Sequence, residues 1–422
     1  MPKVEVQNVY KVFGRSPSEG IELLREGASK GEILERTGNV VGLDDVSFSV
    51  EEGEIFIAMG LSGSGKSTLI RCLNRLILPS AGHVLIDGED IIQVSDERLR
   101  EIRRSKLSMV FQHFALFPHR TVVENVEYGL KVRGVPKEER RAEALTALSS
   151  VGLEGWADRA PENLSGGMRQ RVGLARALVT GADILLMDEA FSALDPLIRR
   201  DMQDELLELQ RTLKKTIIFI THDLHEALKL GDHIAVMKDG RIVQIGSPEE
   251  IVGSPADPYV QAFTHDVDRG RVFTVASIMQ PPEALRAGAD SVRTAMLRMR
   301  ETGRDTLFVV DRAGQPVGMV VDADVASAVR QGATDLKGIM RTEFPKVSES
   351  TPLADVYALC ATEPVIAVVD EKEQISGMLS QLDVLASLAP TSGADGESQE
   401  ASAEPAPDGL TAGEEGKVQP HA

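Results

Sequence analysis

The segment Gly60-Leu-Ser62-Gly63-Ser64-Gly65-Lys66-Ser67-Thr68 decides the fold of this chain. It follows an apolar run at 54–59 and precedes an apolar-periodic run at 69–76, so the pattern predicts a strand, a glycine-rich loop and a helix. Glycines let such a loop curl until successive N–H groups point at phosphate oxygens, and the helix adds its positive end. The sequence therefore predicts that this segment forms a nucleotide-binding loop.

Within this loop, two side chains have predicted roles of their own. Lys66 is expected to reach the β- and γ-phosphates of the nucleotide, and Ser67 is expected to ligate Mg²⁺. The other predicted binding residues are Gly60, Ser62, Gly63, Ser64, Gly65 and Thr68.

A second apolar run ends in two acids: Ile-Leu-Leu-Met at 184–187 is followed by Asp188 and Glu189. Alone, it could be a strand that enters a polar turn. Beside a phosphate-binding loop, Asp188 is expected to hold Mg²⁺ and Glu189 to polarise the attacking water. The sequence therefore predicts that a nucleotide is hydrolysed and not merely bound.

Composition narrows the class of partner. The 422 residues include 65 acids against 46 bases, which gives a net charge of −19. This balance argues against nucleic acid as a partner, because phosphate binding needs a basic face. Cys72 and Cys360 lie far apart with no CxxC motif, so metal or redox chemistry is not expected. No signal peptide and no apolar run near the ~20 residues of a membrane helix are visible. We therefore expect a soluble chain. If it serves transport, other polypeptides must form the pore.

The chain divides into three regions. Residues 1–265 alternate strands with helices, as in an α/β domain with a largely parallel sheet, and 14–39 is predicted to be an insertion with two short helices. Residues 273–389 contain an internal repeat of about 60 residues. Thr306-Leu-Phe-Val-Val-Asp311 recurs as Val365-Ile-Ala-Val-Val-Asp370. The two copies are expected to form one paired domain, and the acidic stretch 390–422 is expected to be disordered.

Leu164-Ser165-Gly166-Gly167, about twenty residues before the acidic strand, resembles the signature of the ABC ATPases. Other elements match that family in its order: Gln112 the Q-loop, Ser192-Ala-Leu-Asp195 the D-loop, and His222 the switch histidine. Phe13 corresponds to the aromatic residue that stacks on adenine, although the insertion follows it directly. The resemblance covers nearly all of 1–265 and implies an α/β P-loop ATPase with a helical subdomain that carries the signature.

The resemblance also implies roles and partners. Glu189, His222 and Gln112 are the implied catalytic residues, and Ser67, Gln112 and Asp188 the implied metal ligands. Ser165, Gly166, Gly167 and Asp195 would contact ATP. In the family, two chains meet head to tail and each signature loop closes on the γ-phosphate held by the other, so a homodimer is implied.

The segment 112–125 resembles the part of osmolyte and amino-acid importers that receives the membrane subunit. With 14–39, Ala190-Phe191 and the paired repeat, it resembles the ATP-binding subunit of glycine betaine/proline importers. Integral permease subunits, a substrate-binding protein and a place on the cytoplasmic face of the inner membrane are implied. Two alternatives stay open: another solute such as choline, carnitine or an amino acid, or a soluble ABC ATPase outside transport.

The C-terminal repeat resembles a tandem CBS pair, an α+β module that often binds adenine nucleotides through Gly-x-x-Ser/Thr-x-x-Asp. Residues 377–383 keep this pattern with Ser380 and Asp383, whereas Val321 replaces the hydroxyl residue in the first copy. The alternative is that both copies are scaffold and bind nothing. Two basic clusters suggest an ionic switch toward anionic lipid or the acidic tail; they comprise Arg298, Arg300, Arg304, Arg330, Lys337 and Arg341.

Overall fold

The computed structural model describes residues 1–112 and 115–388. In the first 265 residues the strands are β1 (Val4–Phe13), β2 (Val40–Val50), β3 (Ile55–Met59), β4 (Ala81–Ile86), β5 (Glu89–Asp90), β6 (Leu107–Val110), β7 (Ile184–Asp188), β8 (Thr216–Thr221), β9 (His233–Lys238) and β10 (Arg241–Gly246). The helices are α1 (Pro17–Arg25), α2 (Lys30–Thr37), α3 (Lys66–Leu73), α4 (Asp96–Ser105), α5 (Val122–Val126), α6 (Tyr128–Val132), α7 (Lys137–Ser149), α8 (Gly166–Leu178), α9 (Pro196–Leu213), α10 (Leu224–Leu230), α11 (Pro248–Gly253) and α12 (Pro258–Thr264).

Two sheets form the ATPase region. The central six-stranded sheet has the order β10-β9-β3-β8-β7-β6, and its strands are parallel except for β10. The second sheet, β2-β1-β4-β5, is antiparallel. Because β3 is buried on both faces, its side chains alternate between two cores. Ile55 and Ile57 pack with α5, α7 and α8, whereas Phe56 packs with α3 and the antiparallel sheet.

Between β1 and β2, the helices α1 and α2 pack on the outer sheet. Ile21, Leu24 and Ile33 pack on Val12 and Val41 in a small core of their own. A Ser29–Glu32 capping box begins α2, and Gly38 ends it in the left-handed conformation (φ 69°). The insertion is therefore an integral layer over β1 and β2.

The helix after the glycine-rich loop differs from the prediction of 69–76, because α3 runs from Lys66 to Leu73. Its early start follows from Gly65, whose left-handed backbone (φ 105°) turns the loop directly into the helix. Its early end follows from Arg75, which has a positive φ of 54° and breaks the helical ladder. The shift places Lys66 and Ser67 in the first helical turn.

The C-terminal region consists of α13 (Arg269–Val272), α14 (Val275–Ile278), β11 (Ala284–Arg286), α15 (Val292–Thr302), β12 (Thr306–Val310), β13 (Pro316–Val321), α16 (Asp322–Arg330), β14 (Lys346–Ser348), α17 (Leu353–Thr362), β15 (Val365–Val369), β16 (Ile375–Ser380) and α18 (Gln381–Leu388). Each repeat has a three-stranded sheet with one parallel and one antiparallel pair, β11-β12-β13 and β14-β15-β16. Phe308 and Met319 of the first sheet pack on Ala367 and Met378 of the second. The two repeats thus share one core, as the sequence predicts.

The two repeats are interlocked. The first residues of the first repeat join the second repeat: Val275 is buried with Leu353, and Gln280 bridges Met378 of β16. In return, Arg341, near the start of the second repeat, bridges Met319 of β13. Each repeat therefore includes in its structure residues from the start of the other.

The C-terminal region contacts the ATPase region at α11, on which α13 and the following residues pack. Thr274 donates from its N–H and its hydroxyl to Glu249 Oε1, each at 3.0 Å. Tyr357 of α17 packs on Gly270 of α13, where the ring leaves no room for a side chain. The predicted disorder of 390–422 falls outside the described residues, and so does the end of the region predicted at 273–389.

Candidate functional site

The glycine-rich loop is held in a shape that requires glycine at two positions. Gly60 has φ 152°, and a methyl group there would lie 2.2 Å from the carbonyl oxygen of Met237. Gly65 has φ 105°, and a methyl group there would lie 2.6 Å from the carbonyl oxygen of Gly42. Since L side chains rarely adopt these backbone angles, the loop is specified by the sequence at both ends.

Lys66 is buried beneath this loop, with 4% of its surface exposed. Its ammonium group donates to the carbonyl oxygens of Gly60 at 2.7 Å and Leu61 at 2.9 Å. Burial lowers the pKa of Lys66 from the ordinary lysine value, and the Glu189 and Asp188 carboxylates oppose this shift. The lysine is thus a cation enclosed by the loop and faced by two acids.

Ser67 and Asp188 meet at the carboxyl end of β7. The Ser67 hydroxyl donates to Asp188 Oδ1 at 3.3 Å, and Arg71 Nη2 lies 3.8 Å from Asp188 Oδ2. Burial raises the pKa of Asp188, while Arg71 and the Ser67 hydrogen bond act in the opposite direction. A hydroxyl and a carboxylate beside a phosphate loop are the hard oxygen ligands that Mg²⁺ uses when phosphates complete its shell. In the described part of the chain, no three His, Cys, Asp or Glu side chains cluster as a metal site.

Glu189 lies between the other two predicted catalytic residues. Its Oε2 accepts from Gln112 Nε2 at 3.1 Å and lies 3.3 Å from His222 Nδ1. Its backbone has a positive φ of 46°, and its N–H donates to Ile220 O at 3.1 Å. The structure therefore brings Gln112, Glu189 and His222 together at the edge of the central sheet where Lys66, Ser67 and Asp188 also lie.

Phe13, at the end of β1, is 39% exposed and close to the nucleotide-binding loop. A methyl group built on Gly42 would lie 2.8 Å from Phe13 Cε2 and 3.3 Å from Thr68 Cγ2. Lys11 Nζ lies 4.8 Å from the centre of the Phe13 ring. Phe13 and Thr68 therefore both lie close to Gly42.

The signature residues form a second group, centred on the contact of α8 with α9. Ser165 is exposed and caps α8, because its hydroxyl accepts from the N–H of Met168 at 3.3 Å. Gly167 approaches Ile198 of α9 so closely that a methyl group would lie 2.6 Å from Ile198 Cγ2. Gly166 follows Ser165, and Asp195 occupies the N-cap position of α9.

In the C-terminal region, the Ser380–Asp383 pair caps α18. Asp383 Oδ2 accepts from the N–H of Ser380 at 2.9 Å and from its hydroxyl, while Asp383 Oδ1 accepts from Gln280 Nε2 at 3.1 Å. At the corresponding place of the first repeat, Asp324 pairs with Arg341 at 2.8 Å. Both acids thus hold structural contacts of the paired fold.

Several residues of the predicted basic clusters also have partners within the fold. Arg298 donates to the carbonyl oxygen of Ala284, and Arg304 Nη1 lies 2.9 Å from the sulfur of Met378. Arg341 is the partner of Asp324. Three of the six residues therefore do not form a free basic surface, which weakens the basis for an ionic switch.

Two further polar side chains of the site emerge only from the structure. Arg71 lies four residues after Ser67, a spacing that puts both on one face of α3 and that could have indicated it. Arg199 contacts the Ser192–Asp195 segment and Asp223, next to His222. No local pattern in the sequence indicates the contact of Arg199 with Asp223, because α9 and the start of α10 are separate elements of the chain.

This geometry defines a class before any comparison. A glycine-rich loop, an acidic strand end and a histidine after the neighbouring strand, all on one edge of a parallel sheet, belong to P-loop nucleoside triphosphatases. The family model described as ABC transporter matches residues 43–192, and the model described as CBS domain matches 275–331 and 336–390.

The chain belongs to the ATP-binding proteins of ABC transporters, in the group that carries CBS domains. It is 50% identical to the glycine betaine/carnitine transport ATP-binding protein GbuA of Listeria monocytogenes, over 92% of this chain and 98% of that protein. It is 50% identical to the glycine betaine transport ATP-binding protein OpuAA of Bacillus subtilis, over 92% of each chain. It is 47% identical to the glycine betaine/proline betaine protein ProV of Escherichia coli, over 92% and 97%.

Solved structures agree with the fold. A dimeric post-hydrolysis structure of the ATP-binding cassette MJ0796, bound to ADP and phosphate, is 33% identical with a TM-score of 0.50. It covers 58% of this chain and 98% of that one. The predicted ABC ATPase fold, the CBS pair and the class of transport ATPase are therefore confirmed. None of the helices in the described ranges is long and apolar enough to cross a bilayer.

Proposed function

We propose that this chain hydrolyses MgATP to drive the import of glycine betaine or a closely related compatible solute. The observation that carries the proposal is the meeting of Glu189 with Gln112 and His222 beside Lys66 and Ser67. In this assignment Lys66 binds the β- and γ-phosphates. The low dielectric around its enclosed ammonium group strengthens the attraction between that charge and the phosphates.

Each remaining residue has a role that its place supports. Ser67, Asp188 and Gln112 would hold Mg²⁺, which supplies charge neutralisation of the phosphate oxygens when bound. Glu189 accepts a proton from the attacking water, and His222 donates to the γ-phosphate. Phe13 stacks on adenine. The backbone of Gly60–Thr68 cradles the phosphates, as at other loops of this kind.

The proposal includes a homodimer, in which Ser165, Gly166, Gly167 and Asp195 face the nucleotide of the other chain. The two-fold arrangement is supported by the exposed position of Ser165 at the start of α8 and by the related cassette that is described as dimeric. The closed dimer would work with integral permease subunits and a substrate-binding protein, at the cytoplasmic face of the plasma membrane.

The cargo is inferred from the relatives. GbuA, OpuAA and ProV, which are named for glycine betaine alone or with carnitine or proline betaine, are 47–50% identical over 92% of this chain. The two Bacillus subtilis proteins whose names include choline, OpuCA and OpuBA, are each 35% identical over 82% of it. A CBS ligand at Ser380 and Asp383, whether an adenine nucleotide or anionic lipid, remains a secondary hypothesis. Any such ligand would have to displace the Gln280 contact of Asp383.

The test is uptake in vesicles that contain this chain with its neighbouring membrane and binding subunits. Labelled glycine betaine, proline betaine, carnitine and choline would be compared for the wild type and Glu189→Gln. We expect ATP-dependent uptake of glycine betaine, and a loss of turnover of about 10²–10⁴-fold in the variant, because general-base catalysis contributes about that factor. ATP binding should persist. Uptake of choline alone would contradict the cargo, and full turnover of Glu189→Gln would contradict the assignment of the base.

A further inference from the structure

Arg199 lies in the first turn of α9, just after the Ser192–Asp195 segment, and joins two parts of the site. Its Nη2 donates to the carbonyl oxygens of Ser192 at 3.3 Å and Leu194 at 3.2 Å. Its Nη1 donates to Asp223 Oδ2 at 3.2 Å. A single planar guanidinium group thus holds the backbone of the segment before α9 against the residue that follows His222.

Asp223 is itself fixed in place. Its other oxygen, Oδ1, accepts from the N–H groups of His225 at 2.9 Å and Glu226 at 3.4 Å, which caps α10. Its own N–H donates to the hydroxyl of Thr221 at 3.0 Å. A force on its carboxylate is therefore transmitted to the backbone of β8 and α10, between which His222 lies.

The other end of this connection also reaches the catalytic carboxylate. The Ser192 hydroxyl donates to Glu189 O at 2.9 Å and accepts from Gln112 Nε2 at 3.4 Å. Gln112 and His222 both approach Glu189 Oε2. The contacts therefore close a ring: Glu189, Gln112, Ser192, Arg199, Asp223 with His222, and Glu189 again.

We propose that Arg199 is a positioning residue for ATP hydrolysis: it sets the distance between the Ser192–Asp195 segment and His222, so that Glu189 is held between Gln112 and His222. This inference rests on the proposal that Glu189 is the base. Arg199 makes no contact with the nucleotide in this assignment. Its loss should therefore lower kcat, while the KM for ATP, which depends on Lys66 and the loop, should change little.

The surroundings of Arg199 allow a chemical test. A cavity of 730 Å³ lies beside it, between α9, α10 and the linker at Val267–Val272, and both Arg199 and Asp223 line it. A free guanidinium ion could enter this space in a variant that lacks the arginine side chain. Arg200, the next residue, lines the same cavity but is exposed, and it serves as the matched control.

The experiment compares Arg199→Ala and Arg200→Ala in the full transporter, with kcat and KM measured for ATP. We expect Arg199→Ala to lower kcat by about 10- to 100-fold, since hydrogen bonds to a charged group are worth about that factor. The KM should stay within about twofold. Low-millimolar guanidinium chloride should restore part of the rate for this variant only, and sodium chloride at equal ionic strength should not.

Two outcomes would overturn the inference: a kcat for Arg199→Ala equal to that of Arg200→Ala, or a loss of rate that appears as a rise of KM alone. If Arg199→Ala does not fold, Asp223→Asn decides, because asparagine still caps α10 but loses the charged partner. A normal kcat in a well-folded Asp223→Asn would then refute the proposal. Full turnover of Glu189→Gln would instead refute the role of Glu189 as the base. The two measurements therefore distinguish a failure of the proposed function from a failure of the role of Arg199.

Discussion

The approach of Gly167 to α9 gives a stability prediction with a worked magnitude. Alanine at this position would place its methyl carbon 2.6 Å from Ile198 Cγ2. Non-bonded carbons lie best about 3.5–4.0 Å apart, so Ile198 or the start of α8 must move by about 1 Å. Overpacking of this kind costs about 1–3 kcal/mol.

Gly166→Ala is the control, because its methyl carbon would lie 3.9 Å from Leu194 Cδ2, an ordinary contact. Both substitutions gain similar helix propensity, up to about 1 kcal/mol, so the difference between the variants isolates the steric cost. At about 2–4 °C per kcal/mol for a domain of this size, Gly167→Ala should melt about 2–12 °C below Gly166→Ala. Calorimetry without nucleotide separates this effect from any contact with ATP.

An equal or higher melting temperature for Gly167→Ala would refute the described packing of α8 on α9. Ile198→Ala provides the second half of the test, since it removes the Cγ2 atom that the new methyl group meets. In the Ile198→Ala background the difference between the two alanine variants should largely vanish. If the difference persists there unchanged, the cause lies elsewhere in the signature loop.

Two further outcomes are expected. Burial raises the pKa of Glu226, with Asp223 adding to the shift and the hydrogen bonds from Thr221 and Gln203 opposing it, so the folded protein binds this proton more tightly than the unfolded chain. The stability cost of the carboxylate is therefore absent at low pH and grows as pH rises through the folded pKa. Glu226→Gln should raise the melting temperature more at pH 8 than at pH 5, and an equal effect at both would contradict the assignment. Phe308→Ala should lower the free energy of unfolding by about 3–5 kcal/mol, because it removes a buried aromatic ring. Hydrogen exchange should become faster in β12 and also in β15. Unchanged protection in β15 would show that the repeats do not share a core.

The sequence is informative about the site wherever a local pattern has one physical meaning. Gly65-Lys66-Ser67 after an apolar run leaves little freedom, since only a tight loop before a helix suits those residues. Asp188 and Glu189 end a buried strand, so their position at the sheet edge follows from the run itself. The structure places Gln112 and His222 beside Glu189, as their order in the chain suggested.

Contacts between distant segments could not be predicted in the same way. The hydrogen bonds of Arg199 to Asp223 and the exchange of Gln280 and Arg341 between the repeats link residues whose separation in sequence carries no periodicity. The contacts of the basic clusters could not be predicted for a related reason. A sequence shows that Arg341 is charged, but only the fold shows that Asp324 lies 2.8 Å from it.

The interlocked repeats have a consequence for how the chain acquires its structure during synthesis. Gln280 must wait for Met378, its bridge partner, almost a hundred residues later. At about 5–20 residues per second, the ribosome takes about 5–20 s to supply that strand. The ATPase region, by contrast, has all of its strands once β10 has emerged. The segment around Gln280 is therefore among the first of its region to be synthesised and the last to pack. A stop codon early in the second repeat would leave Val275 and Gln280 without their partners, even though the first repeat had been translated in full.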